Sequence, residues 1–186
     1  MPLTDEELVI KYLTGDENSL ALLIQKNLNS VFSFINRLVN DPKAAEDLTQ
    51  ETFIKVWKNL KKFNQEKKLK PWLFMIARNT TIDYLRRKKE IVFSDLNRTD
   101  NDGENFDFDP ADCSVSALEG LVHQELVDRL RRGLENLPIN DRVLLLVYQT
   151  ENLTFREIAE MMGLPLETLK TRYFRALIKL KNEMVK

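Results

Sequence analysis

The sequence predicts an all-α protein with two small helical domains, joined by an acidic flexible linker, and a helix-turn-helix in the second domain. Five Gly and six Pro in 186 residues leave few helix breakers. Apolar residues recur at three- and four-residue spacing on both sides of an aperiodic stretch. That stretch, residues 94–120, carries a net charge of −7 and separates predicted domains at 1–93 and 121–186.

Four helices are expected in the first domain, and the first two have clear ends. Thr4 and Glu7 have the spacing of a capping box, in which each residue satisfies a backbone N–H of the other at the start of a helix. In the second helix, apolar residues recur at helical spacing for about five turns. Asp41-Pro42 ends it and opens the next helix, because proline suits the first helical position.

The third and fourth helices enclose a polar loop. We expect the third helix at about 43–60 and the fourth at about 71–89, with the loop at 61–70 between them. Phe74 and Tyr84 are expected to contribute to the core of this domain, because they lie among the apolar residues of the fourth helix.

In the second domain the helical pattern resumes near Val115 and breaks at Pro138. A short buried helix should then contain the apolar run 143–148. The helix before Pro138 is predicted to bury one apolar stripe, formed by Leu126, Val127, Leu130, Leu134 and Leu137.

The next segment predicts a helix-turn-helix. Thr154 and Glu157 repeat the capping-box spacing, and Gly163 stands where a helix needs a left-handed terminal residue. Pro165 then starts a second helix, which is expected to bury Leu169, Tyr173, Ala176, Leu177 and Leu180. Two short helices around a Gly-containing turn are typical of duplex-DNA readers. The alternative is an ordinary helical hairpin that contains Gly-x-Pro.

A basic block, residues 55–89, has a net charge of +10 and interleaves cations with aromatic residues. Cations follow phosphates and aromatic rings can stack on unpaired bases, so this block predicts binding of single-stranded DNA. The alternative is that the cations form solvated helix faces. On the third predicted helix, Asp47, Gln50, Glu51 and Ile54 share a face with Lys58, which suits docking on a basic protein groove or, alternatively, plain solvation.

Several classes of function are not favoured. One cysteine, Cys113, and one histidine, His123, are too few for a zinc site, and we expect no cofactor. The sequence contains no Gly-rich phosphate loop and no nucleophile–base set, so it does not indicate an enzyme. The longest apolar run, 143–148, is too short to span a membrane, and the acidic N-terminus is unlike a signal peptide, so a cytoplasmic protein is expected.

Two long segments carry a resemblance to a known family. AEDLTQETFIKVWKNLKKF, followed by KPWLFMIARNTTIDYLRRKK, closely resembles region 2 of extracytoplasmic-function (ECF) sigma factors. LRRGLENLPINDRVLLLVYQTENLTFREIAEMMGLPLETLKTRYFRALIKLK closely resembles their region 4. The resemblance covers nearly the whole chain except the linker, and it implies a bacterial transcription initiation factor that binds core RNA polymerase and promoter DNA.

The resemblance also implies three sets of binding residues. Polymerase would be bound by Asp47, Leu48, Gln50, Glu51, Phe53 and Ile54. The melted −10 element would be bound by Lys61, Lys62, Phe63, Asn64, Lys67, Lys68, Trp72, Arg78, Asn79, Asp83, Arg86 and Arg87. The duplex −35 element would be read by Thr154, Glu167, Thr168, Lys170, Thr171, Phe174, Arg175 and Lys179.

The resemblance implies an anti-sigma factor as a further protein partner. It also implies that the acidic linker passes through the polymerase along the path that RNA later takes. The main alternative is a helix-turn-helix regulator with a ligand-sensing first domain, which would act without being a polymerase subunit. An enzyme is the second alternative. Transcription assays with core polymerase separate these possibilities.

Overall fold

Every regular element is helical in the part of the chain that the computed structural model describes, residues 3–95 and 117–185. The all-α prediction is therefore confirmed. The predicted acidic linker lies almost entirely outside the described residues. The helices are α1 Asp5–Leu13, α2 Glu17–Val39, α3 Pro42–Asn59, α4 Leu69–Asp95, α5 Ala117–Glu135, α6 Ile139–Thr150, α7 Phe155–Met162 and α8 Leu166–Val185, with a 3-10 turn at Leu60–Lys62.

The caps predicted for the first helices are present. Glu7 N donates to Thr4 Oγ1 at 3.2 Å, and Thr4 N donates to Glu7 Oε2 at 2.7 Å. The backbone hydrogen bond from Thr4, followed by that of its hydroxyl, lowers the pKa of Glu7. Asp41 Oδ1 accepts from Ala44 N at 3.1 Å and so caps α3.

The fourth helix begins earlier than the sequence predicts. Leu69, two residues before Pro71, is its first residue, and its N–H, which has no acceptor within the helix, donates to Glu6 Oε1 at 2.9 Å. Proline is tolerated in this first turn, where its missing N–H is not needed. The helix also continues past Lys89 to Asp95.

The core of α1–α4, which we call the first module, is built on aromatic contacts. The rings of Phe34 and Phe74 meet edge to face, with centroids 5.2 Å apart, and both are fully buried. Tyr84 is largely buried against the same core. The sequence prediction for Phe74 and Tyr84 is thus confirmed.

The second module, α5–α8, differs from the prediction in one helix. Leu126 and Leu130 are 54% and 39% exposed, so the apolar stripe of α5 is not buried at these positions. Leu134 and Leu137 pack in one apolar cluster with Ala176 and Leu180 of α8, and Asn136, just after α5, donates from Nδ2 to Glu183 Oε2 at 2.9 Å. Only the last part of the stripe, including Leu137, therefore packs on α8. Leu177 of α8 is also more exposed than predicted, at 37%.

The two modules pack against each other. Helix α4 contacts α7, and α2 contacts α6. Buried apolar residues of both modules belong to one continuous cluster, which includes Phe74 of α4 and Ile158 of α7. This arrangement brings the helix-turn-helix next to the basic segment of the first module.

The turn of the helix-turn-helix supplies a stability prediction. Gly163 has φ +66°, and a Cβ placed there would meet nothing within 4 Å, so only backbone strain opposes a side chain. We expect Gly163→Ala to lower the free energy of unfolding by about 1–2 kcal/mol, the cost of a left-handed alanine. Urea denaturation measures this loss. Gly163→Asn is the control, because asparagine tolerates this conformation better, and equal losses would contradict the assignment.

Candidate nucleic-acid interface

The predicted helix-turn-helix is formed by α7, the turn 163–165 and α8. Gly163 ends α7 in the left-handed conformation, and Leu164 N donates back to Ala159 O at 3.0 Å. The next helix starts immediately after the turn, and its first backbone hydrogen bond runs from Leu169 N to Pro165 O at 3.0 Å. The turn therefore fixes the direction in which α8 leaves α7.

The start of α7 is held by the predicted capping box. Glu157 Oε2 accepts from Thr154 N at 2.7 Å and from Thr154 Oγ1 at 2.6 Å, while Glu157 N donates to Thr154 Oγ1 at 3.3 Å. The hydroxyl of Thr154, predicted to contact DNA, is thus engaged in capping. The residue itself is exposed.

Helix α8 has one buried side and one outward side. Leu169 and Ala176 are fully buried, whereas Phe174 on the outward side is 59% exposed. Most of the residues predicted to read duplex DNA are exposed, namely Glu167, Thr168, Thr171, Phe174, Arg175 and Lys179, and Lys170 is partly exposed. The outward side therefore presents cations, hydroxyls and one aromatic ring together.

A groove of about 650 Å³ runs along one flank of this outward side. It brings together Thr168, Thr171, Arg175 and Lys179 with Asp141 and Arg172. Lys170 does not line the groove itself, although its Nζ lies 2.8 Å from Glu167 Oε1, and Glu167 does line the groove. The predicted contacts thus cover two flanks of one helix.

An ion pair that the sequence analysis missed fixes α8 on α6. Arg172 Nε donates to Asp141 Oδ1 at 2.6 Å, and the Asp141 side chain is only 9% exposed. The two residues are 31 positions apart, so helical periodicity could not pair them.

We expect Asp141→Ala to lower the free energy of unfolding by about 1–3 kcal/mol, because it leaves the Arg172 guanidinium partly buried without its carboxylate. Thermal or urea unfolding measures the loss. Glu125→Ala is a control, since it removes an exposed pair with Arg129 at 2.7 Å and should cost about 1 kcal/mol or less. A loss at Asp141 no larger than that of the control would show that the pair does not anchor α8.

On the first module, α3 presents the predicted docking face. Asp47, Gln50 and Ile54 are exposed and the Glu51 side chain is 42% exposed. We call these four residues the docking face. Leu48 and Phe53, also predicted to bind polymerase, are 3% and 8% exposed, so they support the face from the core rather than forming its surface.

The segment between α3 and the first turn of α4 is basic and largely exposed. We call residues 61–70 the basic loop, and its last two residues, Leu69 and Lys70, already form the start of α4. Lys61, Lys62, Asn64, Lys67 and Lys68 are all exposed. One prediction for this loop needs correction. The ring of Phe63 is 8% exposed because it packs on Trp72, with centroids 5.0 Å apart, so it shapes the loop and does not offer a free face to a base.

The remaining candidates lie along α4. Asn79, Asp83, Arg86 and Arg87 are exposed, and Arg86 Nη2 lies 3.3 Å from Asp83 Oδ1. Arg87 also lines a groove of about 310 Å³ between α3 and α4, whose other wall carries Asp47 and Glu51. The residues predicted to bind polymerase are therefore adjacent to those predicted to bind the −10 DNA strand.

Three basic-loop lysines are paired with the second module, which the sequence analysis did not predict. Lys68 Nζ lies 2.8 Å from Glu157 Oε1, and Lys67 Nζ lies 3.4 Å from Glu160 Oε2. The third, Lys70, was not among the predicted DNA contacts. The residues of each pair are 81 to 93 positions apart, so no local pattern could have indicated them.

The third pair is the most buried. Lys70 Nζ lies 3.0 Å from Glu151 Oε2 and donates to Glu151 O at 3.0 Å. The Glu151 side chain is only 5% exposed, compared with 35% for Lys70. A carboxylate so far from water needs its cation, so Lys70 is the central contact of this group.

The acidity of Glu157 reflects these contacts. Burial alone would raise its pKa, but hydrogen bonds from Lys68 and Thr154 outweigh burial and lower the pKa to about 2. Because the pKa is lowered, the stabilisation is present above the ordinary value of 4.5 and is lost as the pH falls towards 2.

We expect Lys68→Met to raise the pKa of Glu157 towards 4.5, since it removes the cation that favours the carboxylate. Carboxyl-carbon NMR titration measures the change. Lys61→Met, elsewhere on the same loop, is the control. An unchanged Glu157 pKa in Lys68→Met would mean that the pair is absent in solution.

Arg78, predicted to contact the −10 strand, lies between the modules. Its Nη2 donates to Asn140 Oδ1 at 2.6 Å, while its Nε is buried without a hydrogen-bond partner. Burial lowers the pKa of Arg78, and the positive charge of Arg172 lowers it further. Two guanidinium groups from different modules thus repel each other across this contact.

Among the described residues there is no group of three or more His, Cys, Asp or Glu side chains able to hold a metal ion. The same residues include no helix long and apolar enough to cross a lipid bilayer.

Comparison with known proteins identifies both modules. The sigma-70 region 2 family model matches residues 23–91, and the sigma-70 region 4 model matches residues 128–180. The chain is 31% identical to the RNA polymerase sigma-H factor of Pseudomonas aeruginosa, over 92% of this chain and 89% of that protein. It is 34% identical to the ECF RNA polymerase sigma factor SigM of Bacillus subtilis, over 86% and 91% respectively.

A solved structure shows the same fold. The sigma factor RpoE of Bartonella quintana, in a co-crystal with the anti-sigma factor NepR, superposes with a TM-score of 0.67 at 20% identity. The match covers 87% of this chain and 93% of that one. From its family matches and its relatives, the chain belongs to the sigma-70 family, among the extracytoplasmic-function sigma factors.

Proposed function

We propose that this protein is a transcription initiation factor that binds core RNA polymerase and directs it to specific promoters. The observation that carries the proposal is the presence of two sigma modules in family order, one with an exposed basic loop and one with an outward-facing basic recognition helix. Residues 1–93 would form the polymerase-docking and −10 domain, 94–120 the linker, and 121–186 the −35 domain. The reaction chemistry would belong to the polymerase, and the protein would act in the bacterial cytoplasm.

The docking face would bind a basic groove of the polymerase. Its carboxylates, Asp47 and Glu51, supply charge complementarity, and the exposed Ile54 supplies apolar area at the same place. Leu48 and Phe53 hold α3 on the core, so the face keeps its shape when a partner binds. A rigid, partly apolar acidic surface suits a lasting contact better than a purely ionic one.

The outward side of α8 would read the −35 element as duplex. Lys170 and Arg175 can donate to guanine edges or phosphates, and Thr168 and Thr171 can bond either. Phe174, 59% exposed, is placed to meet a thymine methyl group. The Asp141–Arg172 pair holds the helix at a fixed angle beneath these side chains.

The basic loop and the exposed face of α4 would bind the −10 element as a melted strand. Unstacking a base costs a few kcal/mol, and contacts with the extruded strand must offset that cost. Loop lysines and Arg86 and Arg87 supply phosphate contacts, while Asn79 and Asp83 offer hydrogen-bonding groups on the same helix. Trp72 and the buried Phe63 would give the loop its fixed shape.

Tethering the two modules adds avidity, because engagement of one DNA element raises the effective concentration of the other module at its own element. We also propose an anti-sigma factor as a protein partner. Support comes from the structural relative of Bartonella quintana, which was solved with such a factor bound.

Run-off transcription with purified core RNA polymerase on genomic fragments tests the function. We expect promoter-specific transcripts only when this protein is added. Binding to duplex operators without any such transcripts would instead favour a regulator that acts without being a polymerase subunit. Hydrolytic activity that persisted through purification would favour the enzyme alternative.

A further inference from the structure

The N-terminal helix α1 supplies a hydrogen-bond acceptor at the start of α4. Glu6 Oε1 accepts from Leu69 N at 2.9 Å, although the two residues are 63 positions apart. A helix leaves its first N–H groups without acceptors, and the side chain of the residue just before it often supplies one. Here that residue is Lys68, whose ammonium group can only donate. The start of α4 is therefore capped by a different helix.

The contact lies where the basic loop passes into α4. At the other end of the loop, the ring of Phe63 is buried in the core. In the middle, Asn64 Oδ1 accepts from Glu66 N at 2.9 Å and closes a local turn. Leu69, at the far end, is 1% exposed, and its N–H is held by Glu6. The loop is thus fixed at both ends within the first module, and one of these fixed points depends on α1.

Helix α1 is a firm support for the Glu6 carboxylate. Leu8 and Val9 of this helix are 3% and 1% exposed, so they hold it on the core of the first module. Asp5, the residue before Glu6, lies 2.7 Å from Lys26 Nζ of α2. The first turn of α1 is therefore attached to α2 at the point from which Glu6 reaches α4.

From these contacts we propose that Glu6 is a positioning residue for the basic loop, and that α1 holds the loop in the conformation that binds single-stranded DNA. The proposal rests on the proposed function of the loop. It gives a role to a helix that lies before residues 23–91, the segment that matches the region 2 family model. A loop that is ordered in advance binds more tightly, because it loses less conformational freedom on binding.

Glu6 also brings a negative charge near the loop, which by itself opposes DNA binding. The pKa of Lys68 is raised first by its hydrogen bond and ion pair with Glu157, and the charge of Glu6 makes a smaller contribution in the same direction. The hydrogen bond and the charge of Glu6 thus have opposite effects on the affinity for DNA. Glutamine at this position separates them, because its amide oxygen accepts a hydrogen bond and carries no charge.

The test compares Glu6→Ala with Glu6→Gln in the full chain. Hydrogen exchange followed by NMR reports the opening of the Leu69 N–H. Anisotropy of a fluorescein-labelled random-sequence single-stranded DNA at low salt reports affinity. In Glu6→Ala we expect Leu69 to exchange about tenfold faster, as for a lost helix cap, and the DNA to bind about fivefold more weakly. Glu6→Gln should exchange within about twofold of the original chain and bind the DNA at least as tightly.

Two controls separate positioning from general effects. Glu17→Ala removes one negative charge at an exposed position of the same module. Val31→Ala leaves a cavity in the core of that module, since Val31 is fully buried, and lowers stability without touching the contact between Glu6 and Leu69. At a temperature where all variants are folded, neither control should weaken DNA binding.

Equal DNA binding by the alanine and glutamine variants of Glu6 would overturn the proposal, because charge alone would then account for the change. Faster Leu69 exchange in Glu6→Ala without a loss of affinity would also overturn it, as would an equal loss of affinity in Val31→Ala. Unchanged Leu69 exchange in Glu6→Ala would overturn it whether or not DNA binds. An original chain that binds no single-stranded DNA would instead contradict the proposed function of the loop, so the two failures are distinguishable.

Discussion

Replacing Asp47 and Glu51 together with lysine is expected to weaken binding to core RNA polymerase by several kcal/mol, a loss of a hundredfold or more in affinity. Both carboxylates project from the solvent-facing side of α3, and Glu51 pairs only with Lys55 of the same helix among the contacts seen, at 2.8 Å. Reversal would place two cations against a basic groove. Titration of labelled protein with core polymerase measures the change.

The fold should survive this substitution, because neither side chain is part of the core. Circular dichroism and the melting temperature check this point. The control, Glu17→Lys with Glu125→Lys, makes the same change in net charge at exposed positions on other helices. If polymerase bound the Asp47 and Glu51 variant as tightly as the control, α3 would not be the docking face.

Replacement of Lys170 and Arg175 by alanine is expected to weaken −35 binding by about 1–3 kcal/mol for each lost base contact. The two side chains lie on different flanks of α8, because they are five positions apart on a helix of 3.6 residues per turn. Arg175 lines the groove, whereas Lys170 does not. Their losses should therefore be nearly additive, since they share no partner. Footprinting and anisotropy on duplex promoter fragments measure the effect.

Loss of positive charge alone also weakens DNA binding, so a matched control is needed. Lys11→Ala with Arg37→Ala removes two cations from exposed sites on the first module. Specific contacts predict that the α8 variant loses discrimination between promoter and random duplex, whereas the control does not. Undiminished protection of the −35 element in the α8 variant would show that another surface reads it.

Local patterns predicted the helices and most of their ends, with both ends of α4 as exceptions, because a cap depends on nearby residues. Both capping boxes and the left-handed Gly163 follow from spacing within one turn. The α5 stripe was wrong at Leu126 and Leu130, since periodicity identifies an apolar face but not whether another helix reaches it. Phe63 shows the same limit, because an aromatic ring among lysines can serve the core as readily as a base.

Contacts between distant segments were beyond the sequence analysis. Lys70 and Glu151 are 81 positions apart, and nothing in the chain near either residue indicates the other. Asp141 and Arg172 were each placed on a helix, but their pairing depends on the angle at which α8 crosses α6. Residue type was enough to name candidate surface residues. The ion pairs that join the lysines of one module to the glutamates of the other could be seen only in the packed structure.

Lys55 connects the docking face on α3 to the candidate DNA-binding face on α4. Its ammonium group lies 2.8 Å from Glu51 Oε1 and 3.0 Å from Thr80 Oγ1, so it bridges α3 and α4. If a polymerase cation bound Glu51, as proposed for the docking face, Lys55 would lose the carboxylate that pairs with it at 2.8 Å. The unpaired ammonium group would still be held on α4 by Thr80, next to Asn79, so polymerase binding at α3 would make α4 more attractive to a DNA phosphate.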